Sequence, residues 1–214
     1  MDWKRRREVT NSIIRSYLPV KQVHDEEKMK LPRGVVVGRH TYGYDESTFL
    51  MFGEESRIEV GAFCSIAPEV RILAGGEHVT DRPSTYPFNA RMFDRGKRSA
   101  PDEADKGPTV VGNDVWIGLG ATILAGVTVG DGAVVGARAV VSKGIPSYGV
   151  AVGNPAEVVG YRFDSATCER FLALRWWDWG DKEIRARKRW FMGDVESFLQ
   201  EAERARGSAP QSLA

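Results

Sequence analysis

The sequence predicts an all-β solenoid, a parallel β-helix with an extruded loop and C-terminal α-helices. Three observations lead to it: a repeat of six residues, one long break in the phase of that repeat, and a change to helical spacing near residue 164. A period of six fits neither an α-helix, at about 3.6 residues per turn, nor a strand, at about 2. It suits a coil in which each six supplies a short strand and a tight turn, and three sixes close a triangle.

The repeat is clearest in six consecutive units, VGNDVW, IGLGAT, ILAGVT, VGDGAV, VGARAV and VSKGIP, which span residues 111–146. Each unit begins with Val or Ile, and we expect these side chains to point inward and stack from coil to coil at about 4.8 Å. In four units the next residue is glycine, where the corner needs an unusual backbone angle or has no room for a side chain. The first-place residues are Val111, Ile117, Ile123, Val129, Val135 and Val141.

The same phase appears upstream in residues 60–77 and in VGRHTY at 37–42. It breaks after Ile72, so a loop of about residues 75–108, rich in Gly, Pro, Asp and Arg, is predicted to leave the coil. A second, smaller interruption is predicted from about 43 to 59. The predicted organisation is an N-terminal helical segment at 1–30, the β-helix at 31–163, a helical extension at 164–206 and a disordered tail at 207–214.

Composition limits the class of protein. The formal net charge is +1 with 28% charged residues, so we expect neither a nucleic-acid partner nor an anionic membrane surface. Cys64 and Cys168 fit neither a disulfide framework nor a CxxC metal pair. No apolar run has the length of a signal peptide core or a membrane span. We therefore expect a soluble, cytoplasmic protein.

Three histidines, His24, His40 and His78, are the first candidates for chemistry. Only His78 lies at the base of the predicted loop, where an imidazole with an ordinary pKa of about 6.5 suits general-base catalysis. The alternative is an ordinary loop histidine. A zinc hydratase on the same kind of solenoid needs several histidines on adjacent coils, and residues 79–214 contain none, so no metal site is predicted.

Several motifs in order resemble one family. The string GGEHVTDRPSTYPF resembles the catalytic loop of the xenobiotic acetyltransferases, the hexapeptide-type chloramphenicol and streptogramin acetyltransferases. The resemblance continues through KGPTVVGNDVWIG, AVGNPAEVVGYRF and LRWWDWGDKEI, and covers most of residues 35–185. It implies a left-handed parallel β-helix, acetyl-CoA as co-substrate without a metal, and a homotrimer with sites between subunits.

The resemblance also implies residue roles. His78 would take the proton of a hydroxyl on a small acceptor during direct attack on the thioester. The backbone N–H of Gly107 would stabilise the oxyanion, although this glycine could instead be a hinge into the coil. The group that orients His78 stays open among Glu77, Asp81 and a backbone carbonyl.

Further residues are assigned by motif position. Trp116 would form a wall facing CoA or a subunit, or else pack beneath the loop. Tyr42, Tyr86 and Phe88 would line an aromatic acceptor pocket, or the last two would pin the loop. The highly charged residues 89–106 depart from the family pattern. The resemblance therefore does not predict which acceptor the protein uses. A non-catalytic scaffold, another acyl donor and an amine acceptor remain alternatives. The other predicted CoA contacts are Ala125, Gly136, Ala137, Lys143, Pro155 and Arg162.

Overall fold

The computed structural model describes residues 29–93, 103–104 and 106–207. The helix predicted at 1–30 and the tail predicted at 207–214 therefore fall almost entirely outside the described residues. In chain order the strands are β1 (Val35–Val37), β2 (Phe49–Met51), β3 (Ile58–Val60), β4 (Ser65–Ile66), β5 (Arg71–Ala74), β6 (Glu77–His78), β7 (Glu103–Ala104), β8 (Thr109–Val111), β9 (Trp116–Ile117), β10 (Thr122–Ile123), β11 (Thr128–Val129), β12 (Val134–Val135), β13 (Val140–Val141), β14 (Gly149–Gly153) and β15 (Ala156–Tyr161).

These short strands form three larger sheets. The first sheet has the order β1-β3-β8-β11, the second β4-β9-β12-β14-β15, and the third β2-β5-β10-β13. Neighbouring strands run parallel, except that β14 and β15 are antiparallel. From β8 to β13, consecutive strands enter the first, second and third sheets in turn. The chain therefore winds round three sides, as the period of six predicts.

The strand register shows that one coil takes eighteen residues. Val129 pairs with Val111, and Val135 pairs with Ile117, each eighteen residues earlier in the chain. The predicted inward stacking is confirmed, because all six first-place side chains are at most 2% exposed. The core is thus a column of aliphatic side chains through the prism. The fifth-place residues share it: Val115, Ala121, Val127, Ala133, Ala139 and Ile145.

The two reasons offered for glycine at the corners apply to different places in the repeat. A Cβ on Gly118, a second-place glycine, would lie 2.6 Å from the backbone nitrogen of Ala137 in the next coil. The second-place glycines are therefore required where the next coil leaves no room for a side chain. The unusual backbone angle occurs at the fourth place, where Gly120 and Gly126 have φ of +64° and +74° and Asp114 adopts +55°.

The smaller interruption is shorter than predicted. Val37 pairs with Val60, 23 residues later, which is five more than one coil. Phe49 begins β2 in phase, twelve residues after Val37, so the extra residues lie between β2 and β3. The predicted interruption at 43–59 is therefore wrong in its first half. The repeat was missed there because Gly43 and Phe49 occupy first places where Val or Ile would have revealed it.

Between β5 and β8 the chain leaves the third sheet and returns to the first. Its two ends pair as an antiparallel ladder of β6 with β7, with Glu77 opposite Ala104 and His78 opposite Glu103. A π-helical turn spans Asn89–Phe93. We call the two ends of this segment, around residues 77–78 and 106–107, the loop roots. They lie at the corner between the third and first sheets.

After the coil the described chain is helical. The helices are α1 (Ser165–Leu174), a 3-10 turn (Trp176–Asp178), α2 (Asp181–Ala186), α3 (Lys188–Phe191) and α4 (Val195–Gly207). Asp164 caps α1 by accepting a 2.8 Å hydrogen bond from the backbone N–H of Thr167. A second apolar core forms between these helices and Tyr148 at the end of the coil. Trp177 is fully buried, so the WWDW run belongs to packing.

The helices pack along the corner between the first and second sheets. The Phe63 ring lies 4.9 Å from the Trp176 ring, and Arg39 contacts Asp181 in an ion pair. His40 Nε2 lies 2.9 Å from the same carboxylate. This is a different corner from the one that carries the loop roots. The helical extension and His78 therefore lie on separate edges of the prism.

Candidate active site

His78 is oriented by a backbone carbonyl. Its Nδ1 lies 2.6 Å from the carbonyl oxygen of Thr85, further along the same loop. A carbonyl oxygen can only accept, so Nδ1 carries the proton and donates it. The neutral ring then has its lone pair on Nε2, which is the atom a general base uses. Of the three orienting groups that the sequence left open, the structure selects the backbone carbonyl.

Glu77, one of the two other candidates, pairs with a different residue. Its carboxylate lies 2.9 Å from Lys106 Nζ, across the β6–β7 ladder. Lys106 directly precedes Gly107, just as Glu77 directly precedes His78. The two residues assigned to catalysis therefore lie on opposite loop roots that are held together by an ion pair.

Gly107 has a backbone conformation that favours glycine. Its φ is +75°, and a Cβ added there would meet no atom within 4 Å. The requirement for glycine is therefore conformational rather than a lack of space. This angle turns the chain into β8, and it suits both roles offered for Gly107, the hinge and the oxyanion donor.

Aromatic side chains cluster on the extruded loop. The rings of Tyr86 and Phe88 lie 5.0 Å apart edge to face, and Phe88 stacks on Phe93 at 5.3 Å. Tyr86 and Phe93 remain more than half exposed. Phe93 was missed in the sequence because it falls in the charged stretch 89–106. Two adjacent apolar residues there, Met92 and Phe93, were the available signal.

Tyr42 and Trp116 lie on another face. Tyr42 bridges to Ser65, and Ser65 pairs with Trp116, so the two aromatic residues are two strands apart on the second sheet. Their exposed fractions are 46% and 58%. The loop roots lie between the other two sheets, so Trp116 and the loop roots occupy different parts of the coil surface. Tyr42 lies on the same sheet as Trp116.

Five of the seven residues assigned to CoA lie along two edges of the prism. Ala125 and Lys143 lie at the corner between the third and first sheets, in line with the loop roots. Gly136 and Ala137 lie at the corner between the second and third sheets. Pro155, after a cis Asn154–Pro155 bond, is at the exposed tip of the β14–β15 hairpin. One chain does not bring these residues around a single ligand.

Arg162 has partners inside the chain. Its Nη1 lies 2.9 Å from Asp114 Oδ2 and donates a 2.8 Å hydrogen bond to the carbonyl oxygen of Gly132. The guanidinium also lies over the rings of Tyr148 and Phe163. Burial raises the pKa of Asp114, and the charge of Arg162 opposes that rise. The arginine therefore ties the end of the coil to the corner between the first and second sheets, a structural role beside the CoA contact predicted for it.

A cleft of about 290 Å³ lies beneath the C-terminal helices rather than at His78. Arg162, Tyr148 and Trp190 are among its lining residues. The side chain of His78, by contrast, is exposed on the single chain. The chemistry assigned to His78 is therefore not enclosed by one chain alone.

Neither cysteine is suited to nucleophilic catalysis. Cys64 and Cys168 are both free and buried. Burial raises the pKa of the Cys64 thiol to about 11, so little thiolate is present near neutral pH. Among the described residues, no group of three or more His, Cys, Asp or Glu side chains is placed to hold a metal. None of the helices in this part of the chain has the length and apolar character needed to cross a membrane.

Comparison with known proteins gives consistent matches. The family described as "Bacterial transferase hexapeptide (six repeats)" matches residues 108–143. The chain is 36% identical over 181 residues to a chloramphenicol acetyltransferase of Agrobacterium fabrum, covering 78% of this chain and 86% of the relative. It is 41% identical over 133 residues to a probable macrolide acetyltransferase of Lysinibacillus sphaericus, covering 60% and 73%. The solved structure of a hexapeptide-repeat acetyltransferase of Vibrio cholerae complexed with acetyl-CoA matches 62% of each chain, at 26% identity and a TM-score of 0.46.

Proposed function

This chain belongs to the hexapeptide-repeat xenobiotic acetyltransferases, and from that premise we propose that it transfers acetyl from acetyl-CoA to a hydroxyl of a small acceptor. One observation carries the proposal: the hydrogen bond between His78 Nδ1 and the Thr85 carbonyl leaves Nε2 available as a base. The proposal includes the left-handed winding of the coil that the family resemblance implies. It places the enzyme in the cytoplasm, which the two free cysteines support.

The proposed reaction is a direct attack. Nε2 of His78 takes the proton of the acceptor hydroxyl while that oxygen attacks the thioester carbonyl. The tetrahedral oxyanion accepts a hydrogen bond from the backbone N–H of Gly107. When the carbon–sulfur bond breaks, the proton passes from His78 to the CoA thiolate. Atoms and charge balance without an acyl-enzyme or a metal, and His78 returns to its starting state.

The proposed site is completed between subunits of a homotrimer. Flat sides of a triangular prism pack well around a threefold axis. In a single chain Trp116 and Tyr42 are exposed on one sheet while His78 lies on another corner, so a neighbouring subunit could bring the two surfaces together. We propose that CoA binds in this groove, with Trp116, Ala125, Gly136, Ala137, Lys143, Pro155 and Arg162 as contacts.

Sedimentation velocity tests the assembly. We expect a species of three chain masses at micromolar concentration, because the site needs more than one chain. A monomer that retains full turnover at the same concentration would contradict a shared site.

The acceptor is proposed to be an aromatic or otherwise drug-sized alcohol. The exposed cluster of Tyr86, Phe88 and Phe93 offers the apolar walls that such ligands favour. The named relatives act on different drugs, so the class rests on this cluster rather than on any one of them. A thiol-release assay with acetyl-CoA and a panel of chloramphenicol, macrolides, streptogramins, aminoglycosides and nucleotide sugars identifies the acceptor.

The central test is His78→Ala with the acceptor that this panel identifies. We expect turnover to fall by about a hundredfold or more, because a general base contributes roughly that much. Acetyl-CoA binding, measured by calorimetry, is expected to survive. His40→Ala is the control, since His40 lies on the helix-packed corner and should leave turnover nearly unchanged. Near-normal turnover of His78→Ala would overturn the proposed mechanism.

A further inference from the structure

An ion pair joins the two loop roots directly beside the residues assigned to catalysis. Glu77 Oε1 and Lys106 Nζ lie 2.9 Å apart. Glu77 is the residue before His78, and Lys106 is the residue before Gly107. The loop between them runs for 28 residues, so the two roots are joined by the β6–β7 ladder and by this ion pair rather than by a short connection.

The Lys106 side of this pair rests on the coil. A Cβ on Gly126, at the corner between the third and first sheets, would lie 2.5 Å from Lys106 Cβ and 2.6 Å from its carbonyl oxygen. The backbone of Lys106 therefore sits directly against the coil at a glycine. This contact fixes the position of the Lys106 backbone against the coil. The position of the adjacent Gly107 follows from it.

A buried hydroxyl connects the same corner to the His78 side. Thr109, which is fully buried, donates a 2.6 Å hydrogen bond to the Leu73 carbonyl in β5 and accepts a 3.0 Å hydrogen bond from the N–H of Gly126. The strands under both roots are thus held by buried contacts. Above them, the Glu77–Lys106 ion pair joins the two residues that directly precede His78 and Gly107.

We propose that Glu77 and Lys106 are positioning residues that set His78 relative to the Gly107 N–H. This rests on the proposed function. Neither side chain needs to touch a substrate: the pair closes the β6–β7 ladder, so the base and the oxyanion donor keep one separation while the acceptor binds. A displacement of about 1 Å in such a geometry can cost on the order of a hundredfold in rate. The pair is half exposed, so its effect on stability is small while its effect on turnover is large.

The test is a charge exchange. Glu77→Lys and Lys106→Glu are each expected to lower kcat about tenfold, with KM for acetyl-CoA and acceptor changed less than about threefold. The double variant, which restores opposite charges in reversed order, is expected to recover kcat to within about threefold of the wild type. Glu77→Gln and Lys106→Met, which remove the attraction without creating repulsion, are expected to lower kcat by a smaller factor. Melting temperatures are recorded for every variant.

A matched pair outside the coil serves as control. Arg170 on α1 and Glu203 on α4 form a 2.7 Å ion pair away from every residue assigned to the site, and exchanging their charges should leave kcat unchanged. Three outcomes would overturn the inference: single variants with normal kcat, a double variant no better than the worse single variant, or a Lys106→Glu effect confined to KM for acetyl-CoA. The His78→Ala variant in the same assay separates the two failures. If it keeps normal turnover the proposed function fails, and if it is inactive while the pair shows no coupling only the positioning role fails.

Discussion

The carbonyl of Thr85 determines which nitrogen of His78 can act as a base. Thr85 lies seven positions after His78, and the loop has to turn back for its carbonyl to meet Nδ1. Sequence motifs identify the imidazole, but they do not reveal its tautomer. That choice depends on the partner of one ring nitrogen.

The tautomer leads to a spectroscopic prediction. In protein labelled with ¹⁵N-histidine and held at a pH of about 9, above the usual imidazole range, His78 is expected to show a protonated Nδ1 and a bare Nε2. The His78→Ala spectrum assigns the signals by their loss, and His40 provides an internal comparison. A neutral His78 protonated on Nε2 would contradict the orientation described here.

Arg162 has an intramolecular partner that motif transfer did not indicate. The family resemblance assigns this arginine to CoA, and the structure pairs it with Asp114, 48 residues earlier in the chain. An arginine has several donors and binds a carboxylate as readily as a phosphate. Spacing in the sequence does not distinguish the two partners, because it does not show which corner of the coil faces the arginine.

At the scale of the elements, the strand of each six-residue unit could be predicted from the sequence because the same physical constraint recurs in every unit. First-place side chains must stack inside the coil, so their identity is visible at every sixth position. The corner carries two separate requirements: space at the second place and a positive φ at the fourth. The second-place glycines revealed the space requirement in the sequence. The requirement for a positive φ was less visible, because Asp114 adopts that angle without being a glycine.

A substitution at the second place tests the space requirement. Gly118→Ala is expected to lower the free energy of unfolding by about 1–3 kcal/mol, since its Cβ would meet the backbone of the next coil at 2.6 Å. Gly160→Ala in β15 is the matched control, because a Cβ there meets nothing within 4 Å and should change stability by less than about 0.5 kcal/mol. Urea denaturation at equal protein concentration measures both. Equal stability of the two variants would contradict the crowding argument.

In the molecule as a whole, the C-terminal helices hold the coil along one corner. Asp181 at the start of α2 reaches back to Arg39 and His40 near the first coil. The hydrogen bond from His40, followed by the charges of His40 and Arg39, holds the pKa of the Asp181 carboxyl below its ordinary value. These contacts join residues about 140 positions apart, so they connect the two ends of the described fold.

The lowered pKa predicts how stability depends on pH. A carboxyl with a depressed pKa in the folded state stabilises the protein above its unfolded pKa of about 3.9, and this contribution is lost as the pH falls through the folded value. Asp181→Asn is therefore expected to unfold more easily than the wild type at pH 7, with the difference shrinking below about pH 4. Asp178→Asn is the control, since Asp178 pairs with Arg175 in its own segment. A difference between Asp181→Asn and the wild type that is unchanged in acid would contradict this account.

The sequence by itself determined the three-sided coil, its inward column and the place of His78 beside a long loop, because short-range repetition and local motifs carry that information. Only the tertiary structure decided the tautomer of His78, the partner of Arg162, the ion pair across the loop roots and the placement of Trp116 on a different sheet from the strands beside the loop roots. Each of these depends on which corner or face a residue occupies after the chain has wound round the prism. A repeat determines that path, but it does not specify which distant side chains meet along it.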